Sequence, residues 1–239
     1  HTLDASADGY QRAEGAGASL LSASSSTTDH SGDVVEGSAL RQDGKSASLT
    51  APNGTAQRWL IRATLRDAGV ATSQVTQTEL HGTGTPLGDP IEIRSLAGVH
   101  GDENEPSLAV SGVKGVYGHL EISAAHVGLV AALGSCRRAE SVANAGLQRC
   151  NPHVGFVLHA GRALSLSVCK IAIASSEGKP MSGLSSYGYS GTIGHAVVRS
   201  GHGRQPKEAM SSPTVSQSRT RFPITPCGSY LLSRIPPPS

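Results

Sequence analysis

The sequence predicts an α/β protein in which strands and helices alternate in layers. Three observations lead to this class: apolar runs that end in glycine-rich loops, helical periodicity between those runs, and strand-like segments near the end of the globular part. With 239 residues, the chain is long enough for one large domain or two small ones. Hydrophobic residues make up 37% and aromatics only 3%, so Ala, Val, Leu and Ile must form most of the core.

The first predicted helix covers residues 57–69, "QRWLIRATLRDAG". Its apolar residues recur at helical spacing, Asn53 and Thr55 are candidate N-caps, and Gly69 is the expected stop. This pattern is typical of a surface helix.

The segment "VTQTELHG", residues 75–82, reads as a short half-buried strand with outward threonines, and it delivers His81 at its end. A second helix is expected in "GDPIEIRSLAGV", residues 88–99. There, Asp89 is the predicted N-cap and Glu92 completes a capping box. A strand, a Gly/Thr loop and a helix start therefore follow one another.

The stretch from residue 107 to 134 repeats this plan. We expect a buried strand at 108–113, a glycine-rich turn, and a central buried helix over about residues 119–133 that stops at Gly134. Three further strands are predicted in "VCKIAIAS", "PMSGLSSYGYSG" and "IGHAVVRS", which are joined by glycine-rich turns.

Two loops and a C-terminal tail do not follow this pattern of alternating strands and helices. Residues 22–33 are a polar run and residues 100–107 an acidic loop, both expected at the surface. We predict one domain over residues 1–200 and a disordered Ser/Pro/Arg-rich tail over 201–239. The tail is basic, with five Lys and Arg residues against the single acidic Glu208.

Charge and cysteine usage exclude several classes of protein. A net charge of +2 implies no general attraction to nucleic acid or to an anionic membrane. The 4 cysteines form no CxxC pair, which argues against a zinc site or a disulfide framework. No transmembrane or signal segment is visible, so we expect a soluble, cytoplasmic protein, with a plastid location left open.

Two histidines are the candidate reactive groups, because His81 and His119 each lie where a strand, a glycine-rich loop and a helix meet. They could bind one metal, share acid–base work, or be packed polar residues. No third ligand has sensible spacing, so no metal is predicted. A helix dipole would keep His119 neutral and able to donate a hydrogen bond to a carbonyl or enolate oxygen, and the charge of Lys114 would reinforce this.

The loop between His81 and the second helix carries Thr83 and Thr85 among glycines. Their hydroxyls suit an amide-containing ligand arm that the backbone can approach closely. The spacing is neither GxGxxG nor a P-loop, so nucleotide binding is disfavoured.

Several motifs in order resemble one known family. The stretches "HGTGTPLGDPIE", "VSGVKGVYGHLEISAAHVGL" and "SGLSSYGYSGTIGHAVV" are similar to the C-terminal half of the β-ketoacyl synthase (ketosynthase) domain of type I polyketide and fatty acid synthases. The stretches "DASADGYQRAEGAGA", "GSALRQDGKSASLTAPNG" and "GLQRCNPH" agree with it. The resemblance covers roughly residues 1–200.

This resemblance implies a thiolase-like layered fold and decarboxylative Claisen condensation of acyl and malonyl thioesters. His81 and His119 look like the two catalytic histidines, Lys114 like the active-site lysine, and Glu121 like its partner or a support for the helix start. No cofactor is expected on the protein itself, because the substrates are carried on the phosphopantetheine of an acyl carrier protein.

The resemblance also assigns substrate-binding groups. Thr83 and Thr85 match the hydroxyls that hold the phosphopantetheine arm. Tyr189 matches the gating aromatic whose backbone N–H helps to form the oxyanion hole. The implied partners are the acyl carrier protein and either a second copy of the chain or the N-terminal half of a ketosynthase.

The sequence also departs from the family pattern at several positions. No "ACSSS" stretch with the nucleophilic cysteine occurs, and none of the cysteines present is a candidate for it. Val116 and Tyr117 stand where the family has Asn before Gly-His, and Ile193 stands where it has Asn after Ser-Gly-Thr. These changes remove amide hydrogen bonds.

Two hypotheses therefore remain open. In the first, the chain is the histidine-bearing part of a ketosynthase fragment, inactive by itself. In the second, it is a non-catalytic, chain-length-factor-like partner or a decayed sequence.

Overall fold

A computed structural model describes residues 1–23, 32–44, 52–101, 107–159, 164–173 and 178–201. Within them, a mixed sheet of six strands has the order β1-β8-β7-β2-β3-β5, and β4 pairs with β6 separately. The strands are β1 Asp33–Gln42, β2 Val75–Glu79, β3 Leu108–Ser111, β4 Glu140–Ser141, β5 Leu164–Leu166, β6 Ile171–Ala172, β7 Met181–Tyr187 and β8 Thr192–Ser200. The helices are α1 Gly54–Ala68, α2 Gly88–Ala97, α3 Lys114–Tyr117, α4 Ala124–Arg138 and α5 Pro152–His159, with 3-10 turns at Thr72–Gln74 and Glu121–Ser123.

The sheet confirms the predicted α/β class. Strands β7, β2, β3 and β5 run parallel, whereas β1, β8 and β7 pair antiparallel. Because the carboxyl ends of parallel strands meet at one edge of a sheet, the loops that follow β2 and β3 lie side by side. These loops carry His81 and Lys114.

Helix α1 confirms the local signals around it. The Asn53 side chain accepts hydrogen bonds from the backbone N–H groups of Thr55 and Ala56, and Gly69 takes the left-handed conformation at φ 64°. The cap is therefore Asn53, and Thr55 lies inside the first turn.

Asn53→Ala is expected to lower the free energy of unfolding by about 1 kcal/mol, because two N–H groups of the first turn lose their acceptor. Urea denaturation measures the change. Thr55→Ala is the matched control and should cost less than about 0.5 kcal/mol. Equal losses in the two variants would contradict the assignment of Asn53 as the cap.

Two layers of helices cover the sheet. Val197 packs into the main core with Ile61 and Leu65 of α1. Gly183 of β7 pairs with Val197, and the side chain of the next residue, Leu184, lies against Gly128 of α4. Since successive side chains of a strand point to opposite faces, α1 and α4 cover opposite faces of the sheet. The main core comprises Leu3, Ile61, Leu65, Val75, Leu80, Ile93, Leu96, Leu108, Val110, Val154, Val157, Leu164 and Val197.

The predicted alternation in β2 is wrong. All five of its residues are buried, threonines included. The strand lies between β7 and β3 with helices on both faces, so no side of it reaches solvent.

The predicted helix at 119–133 is wrong at both ends. Gly118 has φ 74° and a 3-10 turn follows, so α4 begins only at Ala124. The helix then continues through Gly134 to Arg138 and ends where Ala139 takes φ 51°. A glycine inside a packed helix costs about 1 kcal/mol and does not stop it. One face of α4 packs on the sheet, so the helix is only half-buried.

The remaining elements agree with the sequence in part. Strands β7 and β8 are confirmed, whereas "VCKIAIAS" forms only the two-residue strand β6. Strands β1, β4 and β5 and helices α3 and α5 were not predicted. Most of the polar run, most of the acidic loop and the tail from residue 202 lie outside the described residues. No helix in the described part of the chain is long and apolar enough to cross a membrane.

Candidate active site

The structure brings the two candidate histidines together. His81 lies two residues after β2, and His119 follows the short helix α3 after β3. Their ring centroids are 5.6 Å apart with an interplanar angle of 85°. Two neighbouring strand ends therefore present two imidazoles to one small volume.

Two buried carboxylates hold the His81 loop in place. Glu92 accepts the backbone N–H groups of His81 at 2.8 Å and Gly82 at 2.9 Å. Asp89 accepts those of Gly84 at 3.0 Å and Leu3 at 2.7 Å. The glycines are required here, because Gly82 and Gly84 have φ values of 46° and 69°.

The predicted capping box at this helix is wrong. Helix α2 begins at Gly88, and its N-cap residue is Leu87, whose side chain makes no capping hydrogen bond. Asp89 and Glu92 bind upstream loop N–H groups instead, because those groups are buried and would otherwise lack acceptors.

The tautomer of His81 follows from its backbone contact. The N–H of Tyr187 donates to Nδ1 of His81 at 3.3 Å, so the neutral ring carries its proton on Nε2. Burial, the Lys114 charge and His119 lower the pKa of His81 to about 3. At neutral pH this imidazole is therefore an uncharged donor.

His119 has the same tautomer. The N–H of Glu121 donates to its Nδ1 at 3.0 Å, which leaves the proton on Nε2. Burial and then the Lys114 charge lower the pKa of His119. The expected dipole effect is not the cause, because α4 begins five residues later, at Ala124.

Lys114 is the first residue of α3, and its charge acts on both histidines. Burial lowers its pKa, while Glu92, Glu79 and Asp89 oppose that shift. Glu121, the partner that the family resemblance implied, instead forms an ion pair with Arg12 at 3.2 Å. The acidic neighbours of Lys114 therefore come from β2 and α2.

Glu79 was missed by the sequence reasoning. Its side chain is fully buried and accepts the N–H of Val113 at 2.6 Å and the hydroxyl of Ser111 at 2.7 Å. Burial raises its pKa to about 7, although these bonds and Lys114 act in the opposite direction. A carboxylate at the end of an otherwise uncharged buried strand was the available signal.

The hydroxyl groups of the two loop threonines have different hydrogen-bond partners. The hydroxyl of Thr85 accepts the N–H of Gly88 at 3.0 Å and thus fixes the start of α2. The hydroxyl of Thr83 lies 3.4 Å from that of Thr85. Both are only partly buried, so each can still donate a hydrogen bond to a ligand.

The two tyrosines after β7 also differ. Tyr187 places its ring centroid 5.3 Å from that of His81. Tyr189, the candidate from the sequence, lies on the following turn with 77% of its surface exposed. The described contacts thus join Tyr187, and not Tyr189, to the histidine pair.

The N-terminal segment crosses both loops and was not expected to take part. The Thr2 hydroxyl donates to the Gly82 carbonyl at 2.8 Å. Gln11 accepts the His119 N–H at 2.8 Å, and the Tyr10 ring centroid is 4.7 Å from that of His119. This segment therefore ties the two histidine loops to one another.

Three other histidines and two cysteines of the described part of the chain make contacts of their own or are exposed. His195 is buried against Ser185, His126 contacts Ser19, and the His153 side chain is exposed. Burial raises the pKa of Cys136 to about 12 and that of Cys150 to about 11, which disfavours their thiolates. In the described part of the chain, no group of three His, Cys, Asp or Glu residues could hold a metal ion.

Comparisons with known proteins identify the family that this chain resembles. Residues 33–148 match the family described as "Beta-ketoacyl synthase, C-terminal domain". A phenolphthiocerol/phthiocerol polyketide synthase from Mycobacterium tuberculosis is 36% identical over 90% of this chain and 12% of its own length. The 6-methylsalicylic acid synthase of Penicillium expansum is 37% identical over 82% of this chain and 11% of its own length.

Solved structures show the same likeness. The oxazolomycin ketosynthase domain OzmH KS7 of Streptomyces albus JA3453 superposes with a TM-score of 0.73 at 28% identity, over 91% of this chain and 38% of that one. The ketosynthase from module 6 of the Bacillus subtilis 168 bacillaene synthase gives 0.64 at 30% identity, over 70% of this chain and 30% of that one. The chain thus spans a small part of the length of its relatives.

Proposed function

Because the chain belongs to the β-ketoacyl synthase family and has its thiolase-like α/β fold, we propose that it supplies the histidine half of a condensing site. The substrates would be malonyl and acyl thioesters. The observation that carries the proposal is the pair of neutral imidazoles, 5.6 Å apart, whose Nδ1 atoms both accept backbone N–H groups.

This arrangement suits a developing enolate. The Nε2–H groups of His81 and His119 would both donate to the thioester oxygen of a malonyl group. The bond between the α-carbon and the carboxylate then breaks, CO₂ leaves, and the electron pair is delocalised onto that oxygen. Neutral donors that are already oriented stabilise this charge without reorganisation.

The remaining partners of the reaction follow from the chemistry. The enolate carbon attacks an acyl thioester, forms the new carbon–carbon bond and expels a cysteine thiolate. Cys136 and Cys150 are poor candidates because burial raises the pKa of each thiol. Since none of the four cysteines lies in a stretch that resembles the family's nucleophile motif, we place the nucleophile on polypeptide outside this sequence. Thr83, Thr85 and Tyr189 remain the candidate contacts of the phosphopantetheine arm of an acyl carrier protein.

The surface beside the histidines supports a protein partner. Val116, Tyr117 and Ile122 lie within three residues of His119 in the sequence, and all three side chains are exposed, Ile122 fully. A cluster of large apolar side chains around a site is typical of an interface. We propose that this face packs against the polypeptide that carries the cysteine, or against a second copy of the chain.

Decarboxylation of malonyl pantetheine tests the proposal. We expect slow CO₂ release above the buffer rate, and His81→Ala or His119→Ala should reduce it by about 10²-fold because each removes one donor to the enolate. His153→Ala is the matched control and should leave the rate unchanged. A parent rate equal to that of buffer, or unchanged rates in both site variants, would contradict the proposal and favour a non-catalytic partner.

A further inference from the structure

A second candidate site lies on the outer surface of α1, away from the histidines. Arg41 of β1 and Arg62 and Arg66 of α1 line an open groove of about 820 Å³, whose apolar part is formed by Trp59, Val70 and Val99. We call it the arginine groove. None of its residues takes part in the candidate active site.

Among the described residues, those that line the groove include no acidic counterpart to its positive charge. No lining residue is a carboxylate, and the ion pairs in the described part of the chain join Arg12 to Glu121, Arg137 to Asp33 and Arg199 to Glu36. The single acid of α1, Asp67, accepts the backbone N–H of Ser38 in β1. Three arginines therefore line one groove in which the described residues supply no carboxylate.

Two of these arginines are already held in position. Arg62 donates to the Gly98 carbonyl at 3.1 Å, and Arg66 donates to the Arg62 carbonyl at 3.4 Å. Each guanidinium has five N–H donors, so most of them remain for a ligand. Side chains that are partly ordered before binding lose less entropy when an anion arrives.

The apolar part of the groove is unusual for a solvated surface. Trp59 is the one tryptophan of the chain, and 60% of its surface is exposed. Tryptophan and arginine are among the residues most enriched at the hot spots of protein–protein interfaces. The groove therefore offers apolar contact and carboxylate-binding donors side by side.

We propose that the arginine groove binds an acidic polypeptide segment of a partner protein, with an apolar side chain against Trp59 and carboxylates on the arginines. The open shape fits an extended or helical segment better than an enclosed small molecule. The three arginines are confined to one groove with an apolar floor, so a nucleic acid backbone, which needs a longer basic track, fits less well.

The fluorescence of Trp59 provides a direct test, because the full chain contains no other tryptophan. The probe is a short peptide that alternates Glu and Leu. We expect saturable change in Trp59 emission that weakens with added salt, and about fivefold weaker binding in each of Arg62→Ala and Arg66→Ala. The same peptide with Gln for Glu should not bind.

A charge-reversal variant distinguishes a specific loss of peptide binding from a loss of folding. The double variant Arg62→Glu/Arg66→Glu should lose the acidic peptide and gain binding of a Lys/Leu peptide. Arg138→Glu on α4, at the opposite face of the sheet, should bind the acidic peptide like the parent. A double variant that still binds the acidic peptide as tightly as the parent would overturn the proposal.

Three further outcomes would also overturn it. The first is that inorganic phosphate saturates the change in Trp59 emission as the peptide does. The second is that a single-stranded oligonucleotide binds equally well. The third is that emission changes only when the chain's own acidic residues Asp102, Glu103 and Glu105 are neutralised, with no response to added peptide. None of these readouts depends on CO₂ release, so the inference stands or fails separately from the proposed condensation.

Discussion

Glu79→Leu should lower the free energy of unfolding by about 3–5 kcal/mol. The substitution leaves the Val113 N–H and the Ser111 hydroxyl without their acceptor and removes a counter-charge of the half-buried Lys114. Urea denaturation at neutral pH measures the loss. The exposed Glu14 provides the matched control, and Glu14→Leu should change stability by less than about 0.5 kcal/mol.

Glu79→Gln separates hydrogen bonding from charge. Glutamine keeps one acceptor for the Val113 N–H, so the loss should be smaller than in Glu79→Leu. The folded pKa of Glu79 is raised by burial to about 7, above its ordinary value of 4.5. Protonation of Glu79 therefore stabilises the folded protein relative to the unfolded chain. This contribution to the free energy of unfolding is fully present below pH 4.5 and is lost as pH rises through 7. Glu79→Gln should remove that fall in stability, and an unchanged pH profile would contradict the assignment.

Protonation of His195 should make the protein sensitive to acid. Burial, with a smaller effect of His100, lowers the pKa of His195 from 6.5 to about 3, and its Nδ1 lies 3.0 Å from the Ser185 hydroxyl. The unfolded chain binds this proton below pH 6.5 and the folded protein does not. The stabilising contribution is thus present above pH 6.5 and is lost as pH falls through about 3.

The expected size of this effect is about 1.4 kcal/mol per pH unit, or about 5 kcal/mol over the whole window. Urea denaturation of the parent, His195→Asn and His195→Gln between pH 7 and pH 4 measures it. Both variants should lose less stability per pH unit than the parent. Parallel profiles for all three proteins would show that His195 is protonated in the folded state.

The sequence predicted best where structure is local. Asn53 and Gly69 bound α1 as expected, because capping depends on groups only two or three residues away. The strand–loop–helix order around His81 was equally predictable from the sequence. The edge strand β1 was not, since most of its side chains are at least partly exposed and its pairing with β8 joins residues far apart in sequence.

The sequence identified two candidate histidines but not the groups that hold their loops. The resemblance assigned His81 and His119, and the structure places them together. Their carboxylate neighbours bind loops or strands that the sequence does not place beside them, as Glu79 does at Val113 and Asp89 at Leu3. Long-range contacts of this kind leave no periodic signal, which explains why the capping-box interpretation of Asp89 and Glu92 was wrong.

The two hydrogen bonds that fix the histidine tautomers have one more consequence. Both come from main-chain N–H groups, at positions 187 and 121, so the side chains there are free to vary without changing which ring nitrogen holds the proton. Proline alone lacks that group. Position 187 should therefore exclude proline on this account, whereas position 121, where φ is 49°, should also disfavour β-branched residues.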